Sequence, residues 1–278
     1  MATIIYLLIA SAGANSLLMP ASPIGLVTGF STAKEAEAIF YNPANFAASD
    51  DFKLWCFYNR FYVSMQSVSL VLSKKIKAFD FGLAINNFDY GNDFEWHPDY
   101  PTEDTLTFYG ANDLSITLSS GIKISNRGKI GFSIKYIYEN IYTYADYAFA
   151  FDLAFAYSNS ISGISFGTSN LGSRVTLNNE DVNLPTRISI GGFHSFNKLV
   201  LSADMHYLVN NGSEEFSVGL SLPIYKILTL GGAINYRESF YPGFGVTINA
   251  GEWAIKYGTA FYPKDLGMVN TIGIGFDF

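Results

Sequence analysis

The chain has 278 residues, a formal net charge of −7 and an aromatic content of 17%, whereas only 15% of its residues are charged. The negative charge argues against nucleic-acid binding, because phosphate contacts need clustered Lys and Arg. The single cysteine, Cys56, excludes an internal disulfide framework and a cysteine-rich metal site. No apolar run reaches the ~20 residues that a transmembrane helix needs.

Residues 1–14 have features of an export signal. Ile4–Ile9 is a short apolar core, and Ala12-Gly13-Ala14 fits a small-residue cleavage site. The positive charge expected before such a core is missing. We therefore expect a signal-peptide remnant here, with an ordinary first strand as the alternative.

Residues 15–50 do not alternate between apolar and polar positions. Thr32 and Glu35 have the spacing of a capping box, which predicts a helix running through Ala38. An Asn42-Pro43-Ala44 turn follows this helix.

The glycines at 25 and 29, the Ala-rich helix and the Asn-Pro-Ala turn together resemble the N-terminus of FadL-like outer-membrane proteins. The resemblance is greatest to the shorter PorV/PorQ branch, although Asn45 stands where that family usually has Gly. The resemblance implies that residues 15–50 form a hatch inside a barrel of about fourteen strands. A barrel of this strand number also encloses more space than small inward side chains fill, so a plug is expected on physical grounds.

Residues 51–278 carry the period-two pattern of β-strands. Between Asp146 and Tyr157, bulky aromatic residues alternate with alanines and a single charge, Asp152. Bulky apolar residues on one face and small ones on the other are typical of a membrane barrel rather than of a soluble sheet. The pattern and the turn residues predict about fourteen strands, near residues 52–60, 65–73, 76–87, 113–124, 128–140, 146–157, 161–168, 186–194, 198–208, 214–222, 227–236, 242–250, 252–262 and 268–278.

The connections between these strands differ in length on the two sides. Those after even-numbered strands are short, whereas the long ones, Phe88–Asn112 and Ser169–Pro185, both follow odd-numbered strands. This asymmetry is typical of outer-membrane barrels and predicts that both barrel ends lie in the periplasm. All nine prolines are expected outside strand interiors or at strand ends, because proline cannot donate to a ladder.

The long Phe88–Asn112 connection is rich in acidic residues and contains no Lys or Arg. It lacks the ligand spacing of a dedicated calcium loop, so we expect a solvated surface loop and no metal. Its aromatic residues would allow it to fold over the mouth or to meet a partner; these candidate partner residues are Trp96, Tyr100, Phe108 and Tyr109.

The last segment, Asn270–Phe278, places Ile272, Ile274, Phe276 and Phe278 on the lipid face. A terminal strand that ends in Phe resembles the signal by which the outer-membrane assembly machinery recognises its clients. That machinery is therefore an expected partner of the chain.

The alternation also places a set of polar residues on the inner face. Lys135 and Asp152 are predicted to lie opposite each other and to form an ion pair. A structural role is favoured over a solute-selecting constriction, since buried charges are ordinarily paired. The set comprises Asp80, Lys135, Asp152, Arg187, Asp204, His206 and Lys256.

Catalysis is not expected. Ser202, Asp204 and His206 share a face, but alternate positions along one strand do not by themselves build a nucleophile–base relay. The three histidines are scattered, which argues against zinc. The glycine pairs at 243 and 245 and at 273 and 275 lie in strands, so they are expected to make room for the plug rather than to bind a nucleotide.

The sequence thus predicts an all-β protein: an antiparallel transmembrane β-barrel of about fourteen strands with an N-terminal hatch inside the lumen. Residues 1–14 would be the signal remnant, 15–50 the hatch and 51–278 the barrel of a bacterial outer membrane. The FadL-like resemblance implies a plugged channel for small hydrophobic molecules. The PorV/PorQ resemblance implies instead a non-conducting docking or shuttle barrel in type IX-like protein secretion, and a structural outer-membrane protein is the third alternative. No cofactor is expected.

Overall fold

The computed structural model describes residues 13–62, 64–95, 107–263 and 267–278. Fourteen antiparallel strands form a closed barrel, as predicted, and the first strand pairs with the last to complete it. The barrel strands are β1 (Lys53–Arg60), β2 (Gln66–Ile76), β3 (Phe79–Glu95), β4 (Thr107–Lys123), β5 (Gly128–Ile141), β6 (Tyr144–Ser158), β7 (Ser162–Gly172), β10 (Arg187–Phe196), β11 (Leu199–Leu208), β12 (Ser213–Tyr225), β13 (Leu228–Arg237), β14 (Ser239–Ala250), β15 (Trp253–Tyr262) and β16 (Gly267–Asp277).

Two short strands, β8 (Arg174–Leu177) and β9 (Glu180–Asn183), form a separate hairpin between β7 and β10. The prediction of an irregular long loop at Ser169–Pro185 was therefore wrong for this stretch. Val175 and Leu177 of the hairpin are buried against Ala14, Ile137, Ala148 and Ala150. The hairpin therefore folds back onto the barrel interior.

The prediction for prolines was wrong at two positions, Pro223 in β12 and Pro242 in β14. The β12–β13 register shifts between Pro223 and Tyr225, so this proline lies at an irregularity of the ladder. Pro242 pairs with Ile234 of β13, but the ladder to β15 begins only at Gly243. Pro242 therefore lies where β14 is paired on one side only.

The two faces of the wall differ as the alternation predicted. In β6, Phe149 and Leu153 are 47% and 57% exposed, whereas Ala148, Ala150 and Asp152 are buried. The other strands show largely the same division, with Ser, Thr, Ala and Gly inward, although a few large apolar side chains such as Trp55 and Phe57 of β1 are also buried inside. Exposed apolar side chains on every side of a closed barrel are stable only against lipid, so the strands span a bilayer.

The barrel has one rim of short turns, formed by residues 77–78, 124–127, 159–161, 197–198, 226–227 and 251–252, which we call the short-turn rim. On the opposite rim, residues 173–186 connect β7 to β10. The predicted Phe88–Asn112 loop was wrong at both ends, because β3 continues to Glu95 and β4 begins at Thr107. That rim also has tight connections, such as residues 142–143, so the rims differ less than predicted. The barrel begins and ends at the short-turn rim, where Lys53 forms an ion pair of 2.9 Å with Asp277.

The N-terminal segment consists of short helical turns rather than the predicted single helix. They are the 3-10 helices Asn15–Leu18, Pro23–Leu26, Glu35–Glu37 and Pro43–Asn45 and the α-helices Gly29–Thr32 and Ala38–Tyr41. The capping box was wrong, because Thr32 ends one helix and bonds back to the Thr28 carbonyl oxygen. No helix of the described residues is long and apolar enough to cross a membrane.

Candidate functional site: the plugged lumen

The N-terminal segment, hereafter the hatch, is seated against inward-facing glycines of the wall. An ideal Cβ at Gly131 would overlap the backbone of Pro43, and one at Gly243 would overlap the Leu26 carbonyl. One at Gly258 would lie 3.0 Å from the Pro23 carbonyl oxygen. These three glycines make room for the hatch backbone. A Cβ at Gly245 would lie 3.3 Å from the Val27 side chain of the hatch, so residues 243 and 245 both face the plug, as expected. Residues 273 and 275 instead make room for the wall side chains Phe57 and Trp55.

The Asn-Pro-Ala turn folds the second half of the hatch. The Asn42 side chain accepts a hydrogen bond of 3.1 Å from the Ala44 N–H and so caps the turn that begins at Pro43. Its amide also donates to the Phe30 carbonyl oxygen at 3.0 Å. Ala44 itself packs among the inward-facing Ala154 and Ala156 of β6. The motif is therefore a structural element that ties two parts of the hatch together.

Tyr41 holds the first half of the hatch from within. Its hydroxyl oxygen accepts hydrogen bonds from the backbone N–H groups of Ala21 and Ser22, at 3.1 and 3.0 Å. Burial raises the pKa of Tyr41 to about 12, so the hydroxyl stays protonated at any physiological pH.

Asp204 and Ser202 on β11 bind the middle of the hatch. The Asp204 carboxylate accepts hydrogen bonds from the N–H groups of Phe30 and Ser31, at 2.9 and 3.0 Å. Ser202 Oγ lies 2.7 Å from Thr28 Oγ1. His206 bonds instead to Ser189 at 2.8 Å, so the three side chains form no relay with one another. Asp204 and Ser202 therefore anchor the middle of the hatch to the wall.

Lys135 and Asp152 form the predicted ion pair, with 2.8 Å between Nζ and Oδ2. Both side chains are buried, and Lys135 also donates to Asn170 Oδ1 at 2.7 Å. The predicted register was wrong, however, because Lys135 lies opposite Ala150 and Asp152 lies opposite Ser133. The pair is diagonal across the two strands.

The remaining predicted lumen residues are scattered along the wall. Asp80 accepts a hydrogen bond of 3.2 Å from the Ala48 N–H, near the short-turn rim. Lys256 pairs with Glu37 of the hatch, and its Nζ lies 4.6 Å from the centroid of the Trp55 ring. Arg187 is buried, and its Nε has no hydrogen-bond partner among the described residues.

The sequence analysis missed the polar group that binds the start of the hatch. Glu139 Oε2 accepts hydrogen bonds of 3.1 Å from both Gly13 and Ala14. Opposite it on β4, Asp113 accepts a bond of 2.8 Å from the hydroxyl of Tyr90. Glu139 falls on the inner face by the same alternation as Lys135, so the signal was present. Residues 1–12 of the predicted export signal lie outside the described residues.

Two cavities separate the hatch from the wall. The larger, about 500 Å³, lies near the short-turn rim between the hatch and strands β10–β15. Its lining is mostly apolar or weakly polar and includes Ile24, Val27, Phe193, Val200 and Gly231, but the charged Lys34, Glu37 and Lys256 also border it. The smaller, about 100 Å³, lies towards the opposite rim and is bordered by charged groups; it includes Lys135, Arg187, His206, Glu215 and Arg237.

The structure says less about the candidate partner residues of the long β3–β4 connection. Trp96 and Tyr100 lie outside the described residues, and the backbone at Phe108 and Tyr109 belongs to β4. Within the described part of the chain, no three His, Cys, Asp or Glu residues are grouped as a metal site would require.

No family model and no curated protein sequence matches the chain. Solved structures do share its fold. The toluene transporter TodX of Pseudomonas putida matches with a TM-score of 0.68 at 10% identity, over 93% of this chain and 97% of that chain. The CymD monoaromatic hydrocarbon channel gives 0.68 at 9% identity, over 96% and 97%. A Pseudomonas aeruginosa FadL homologue gives 0.53 at 11% identity, over 97% and 96%. At such identities the likeness establishes a FadL-type barrel fold.

Proposed function

We propose that this protein is an outer-membrane channel that carries small hydrophobic molecules past its hatch. The observation that carries the proposal is the cavity of about 500 Å³ between hatch and wall. Small-molecule sites typically have volumes of about 300–1,000 Å³ and mostly apolar linings with a few polar groups. The FadL-type fold supports the same function, because structures of this fold include channels named for toluene and other monoaromatic hydrocarbons.

The hatch controls passage in this proposal. Val27 borders both cavities, and the adjacent Thr28 is bonded to Ser202 of the wall. Displacement of this one stretch would join the two spaces without unfolding the barrel. The hatch here is held by hydrogen bonds, each of which contributes only about 0.5–1.5 kcal/mol net. Opening is thus compatible with a stable wall.

A matched pair of glycine substitutions tests the proposal. Gly231 lines the large cavity, whereas Gly232 is its neighbour on the lipid face, and at both positions the nearest atoms lie 3.7 Å or more from an ideal Cβ. We expect Gly231→Leu to weaken binding of N-phenyl-1-naphthylamine about tenfold or more, since a side chain that fills a pocket displaces its ligand. Gly232→Leu should bind the probe like the wild type.

Equal binding by both variants would contradict the channel proposal. Toluene flux into proteoliposomes provides the second measurement, and Gly231→Leu should slow it while Gly232→Leu leaves it unchanged. A protein that neither binds the probe nor passes toluene, but co-purifies with a secreted protein through its aromatic loop, would instead support the PorV/PorQ-like docking barrel. A protein with neither property would be structural.

The proposed location is the bacterial outer membrane, with the short-turn rim in the periplasm. In a Cys56→Ser background, Asn126→Cys would mark the short-turn rim and Glu180→Cys the β8–β9 hairpin on the opposite side. A membrane-impermeant maleimide added to intact cells should label only Glu180→Cys. If only Asn126→Cys were labelled, the short-turn rim would face the outside of the cell, opposite to the proposed orientation. Deletion of Phe278 should lower assembled protein if the assembly machinery reads the terminal strand.

A further inference from the structure

Gly13 and Ala14 are both built into the interior of the barrel. Gly13 is buried beside the β8–β9 hairpin, where an ideal Cβ would lie 2.7 Å from the Val182 side chain and 2.9 Å from the Asn183 carbonyl oxygen. Ala14 is fully buried and packs in the same cluster as Val175 of the hairpin. Both residues therefore belong to the folded protein rather than to an export signal that is removed.

The predicted export signal contains two pairs of small residues with the spacing of a cleavage site. Ala12-Gly13-Ala14 would place the cut after Ala14 and would remove both buried residues. Ala10 and Ala12 have the same spacing around Ser11 and would place the cut after Ala12. Only the second cut leaves Gly13 and Ala14 in the exported chain, so the burial of these two residues favours it.

The wall that receives Gly13 carries two carboxylates close together. Glu139 and Asp113 lie directly opposite each other in the β4–β5 ladder, and both side chains are buried. No Lys, Arg or His of the described ranges forms an ion pair with either carboxylate. Like charges directly opposite each other are destabilising, and a buried charge is ordinarily paired. A positive group at this place would relieve the repulsion.

The backbone nitrogen of Gly13 is placed to supply that positive charge. It lies 3.1 Å from Glu139 Oε2, which also accepts from the Ala14 N–H at 3.1 Å. The other carboxylate oxygen, Glu139 Oε1, is buried and has no hydrogen-bond partner among the described residues. A peptide nitrogen offers one donor, whereas an ammonium group offers three. A free amino terminus at Gly13 therefore has donors for both oxygens of Glu139.

We infer that the exported protein is cut between Ala12 and Gly13 and that the new α-ammonium group of Gly13 forms a buried ion pair with Glu139. The cut is a hydrolysis by a signal peptidase. As the C–N bond breaks, water gives its hydroxyl to the Ala12 carbonyl carbon and its hydrogen to the Gly13 nitrogen, and the amine then takes a proton from solvent. The processed end becomes the first anchor of the hatch. This inference requires export but does not depend on the proposed channel.

The amino terminus of the protein purified from outer membranes tests the cut. Intact-mass measurement and N-terminal sequencing should find a chain that begins at Gly13. Ala10→Gln should abolish this processing, because the position needs a small residue, whereas Ser11→Gln changes only the tolerant middle position and should be processed like the wild type. A chain that begins at Asn15, a chain that retains residues 1–12, or normal processing of Ala10→Gln would overturn the inferred cut.

Acetylation of the Gly13 amine tests the ion pair. Only the neutral amine reacts with acetic anhydride, and an adjacent carboxylate favours the charged form, so at about pH 7.5 Glu139→Gln should react about tenfold faster than the wild type. Mass spectrometry of the N-terminal peptide measures the rate. Glu214→Gln, exposed on β12, is the matched control and should react like the wild type. Each folded barrel is first isolated by its mobility in unheated gels, so misfolded protein does not contribute.

The pH profile of acetylation separates the ion pair from a purely structural role of Glu139. The rate for Glu139→Gln should level off near about pH 8, where a free α-amine is largely neutral, whereas the wild-type rate should continue to rise about tenfold per pH unit. Equal rates in the two proteins would overturn the ion pair. So would a ratio of rates that is the same at every pH, because loosened packing alone would produce it.

Discussion

Asp204 is the residue through which the wall holds the centre of the hatch. A carboxylate that accepts two backbone N–H groups does two things at once. It satisfies the first donors of the short helix Gly29–Thr32, and it compensates the burial of its own charge. The adjacent Ser202–Thr28 bond adds a neutral contact at the same place. The middle of the hatch is thus fixed by polar contacts, whereas its ends also pack on apolar wall residues.

Replacing Asp204 by Asn should loosen the hatch without unfolding the barrel. The amide retains one acceptor oxygen and presents an NH2 group to the second N–H, so one charge-assisted bond, about 1.5–3 kcal/mol, is lost. Hydrogen exchange at Phe30 and Ser31 should therefore accelerate about tenfold to a hundredfold. Asp181→Asn, on the exposed β8–β9 hairpin, serves as the control. Unchanged exchange in Asp204→Asn would show that the anchor is not energetically significant.

Gly131 tests the seating of the Asn-Pro-Ala turn. A Cβ there meets the Pro43 carbonyl and the Ala44 nitrogen, which are backbone atoms and cannot rotate away as a side chain would. We expect Gly131→Val to destabilise the protein by about 1–3 kcal/mol or to expel the turn, as measured by urea unfolding and by proteolysis of residues 38–48. Gly232→Val, on the lipid face, should be neutral or stabilising, because a Cβ there would lie 3.8 Å or more from its neighbours, an ordinary van der Waals distance. Similar behaviour of the two variants would contradict the seating.

At the scale of elements, the β8–β9 hairpin covers the start of the hatch. Val175 is fully buried, and the neighbouring Thr176 is exposed and donates to Asp181 at 2.8 Å. We expect Val175→Asn to release the hairpin, because a buried amide without partners costs about 1–3 kcal/mol. Amide hydrogen exchange at residues 13–18 should then accelerate. Thr176→Asn should leave that exchange rate nearly unchanged. Protection that is equal in both variants would mean that the hairpin does not cover the hatch.

The elements that could be predicted from the sequence are those with a long periodic signal. The alternation of β6 and its neighbours is sustained over many residues, so both the strands and their inward face followed from it. The Lys135–Asp152 ion pair was predicted although the turn was placed wrongly. The turn is tighter than expected, at residues 142–143, and the resulting shift of two residues keeps every side chain on its face.

The elements that the sequence analysis missed are either very short or are shaped by tertiary contacts. The strands of the β8–β9 hairpin have four residues each, too few for a pattern to stand out from a loop. The hatch turns bend where the wall glycines and Asp204 hold them, and no local propensity encodes those contacts. Thr32 illustrates the point, because its hydroxyl bonds within its own turn instead of capping the next helix. The cavities arise from the same tertiary fit.

At the scale of the whole molecule, the distribution of polar and apolar residues in the barrel is the reverse of that in a soluble protein. The polar and small residues are enclosed with the hatch, and the bulky apolar residues form the outer surface on all sides. Leu153 lies within this belt, 57% exposed and several residues from either end of β6, whereas Ile161 is 53% exposed in a turn of the short-turn rim. The two side chains have similar exposure but different depths.

This difference in depth provides the most general prediction. In phospholipid vesicles, Leu153→Arg should lower the free energy of unfolding by about 2–4 kcal/mol, because it places a charge near the bilayer midplane, and Ile161→Arg by about 0–1 kcal/mol at the interface. Urea titration of the vesicle-inserted protein measures both values. If the outer surface faced water, both arginines would be equally harmless, since an exposed charge costs nothing there. The ratio of the two losses therefore distinguishes a belt against acyl chains from an apolar surface of any other kind.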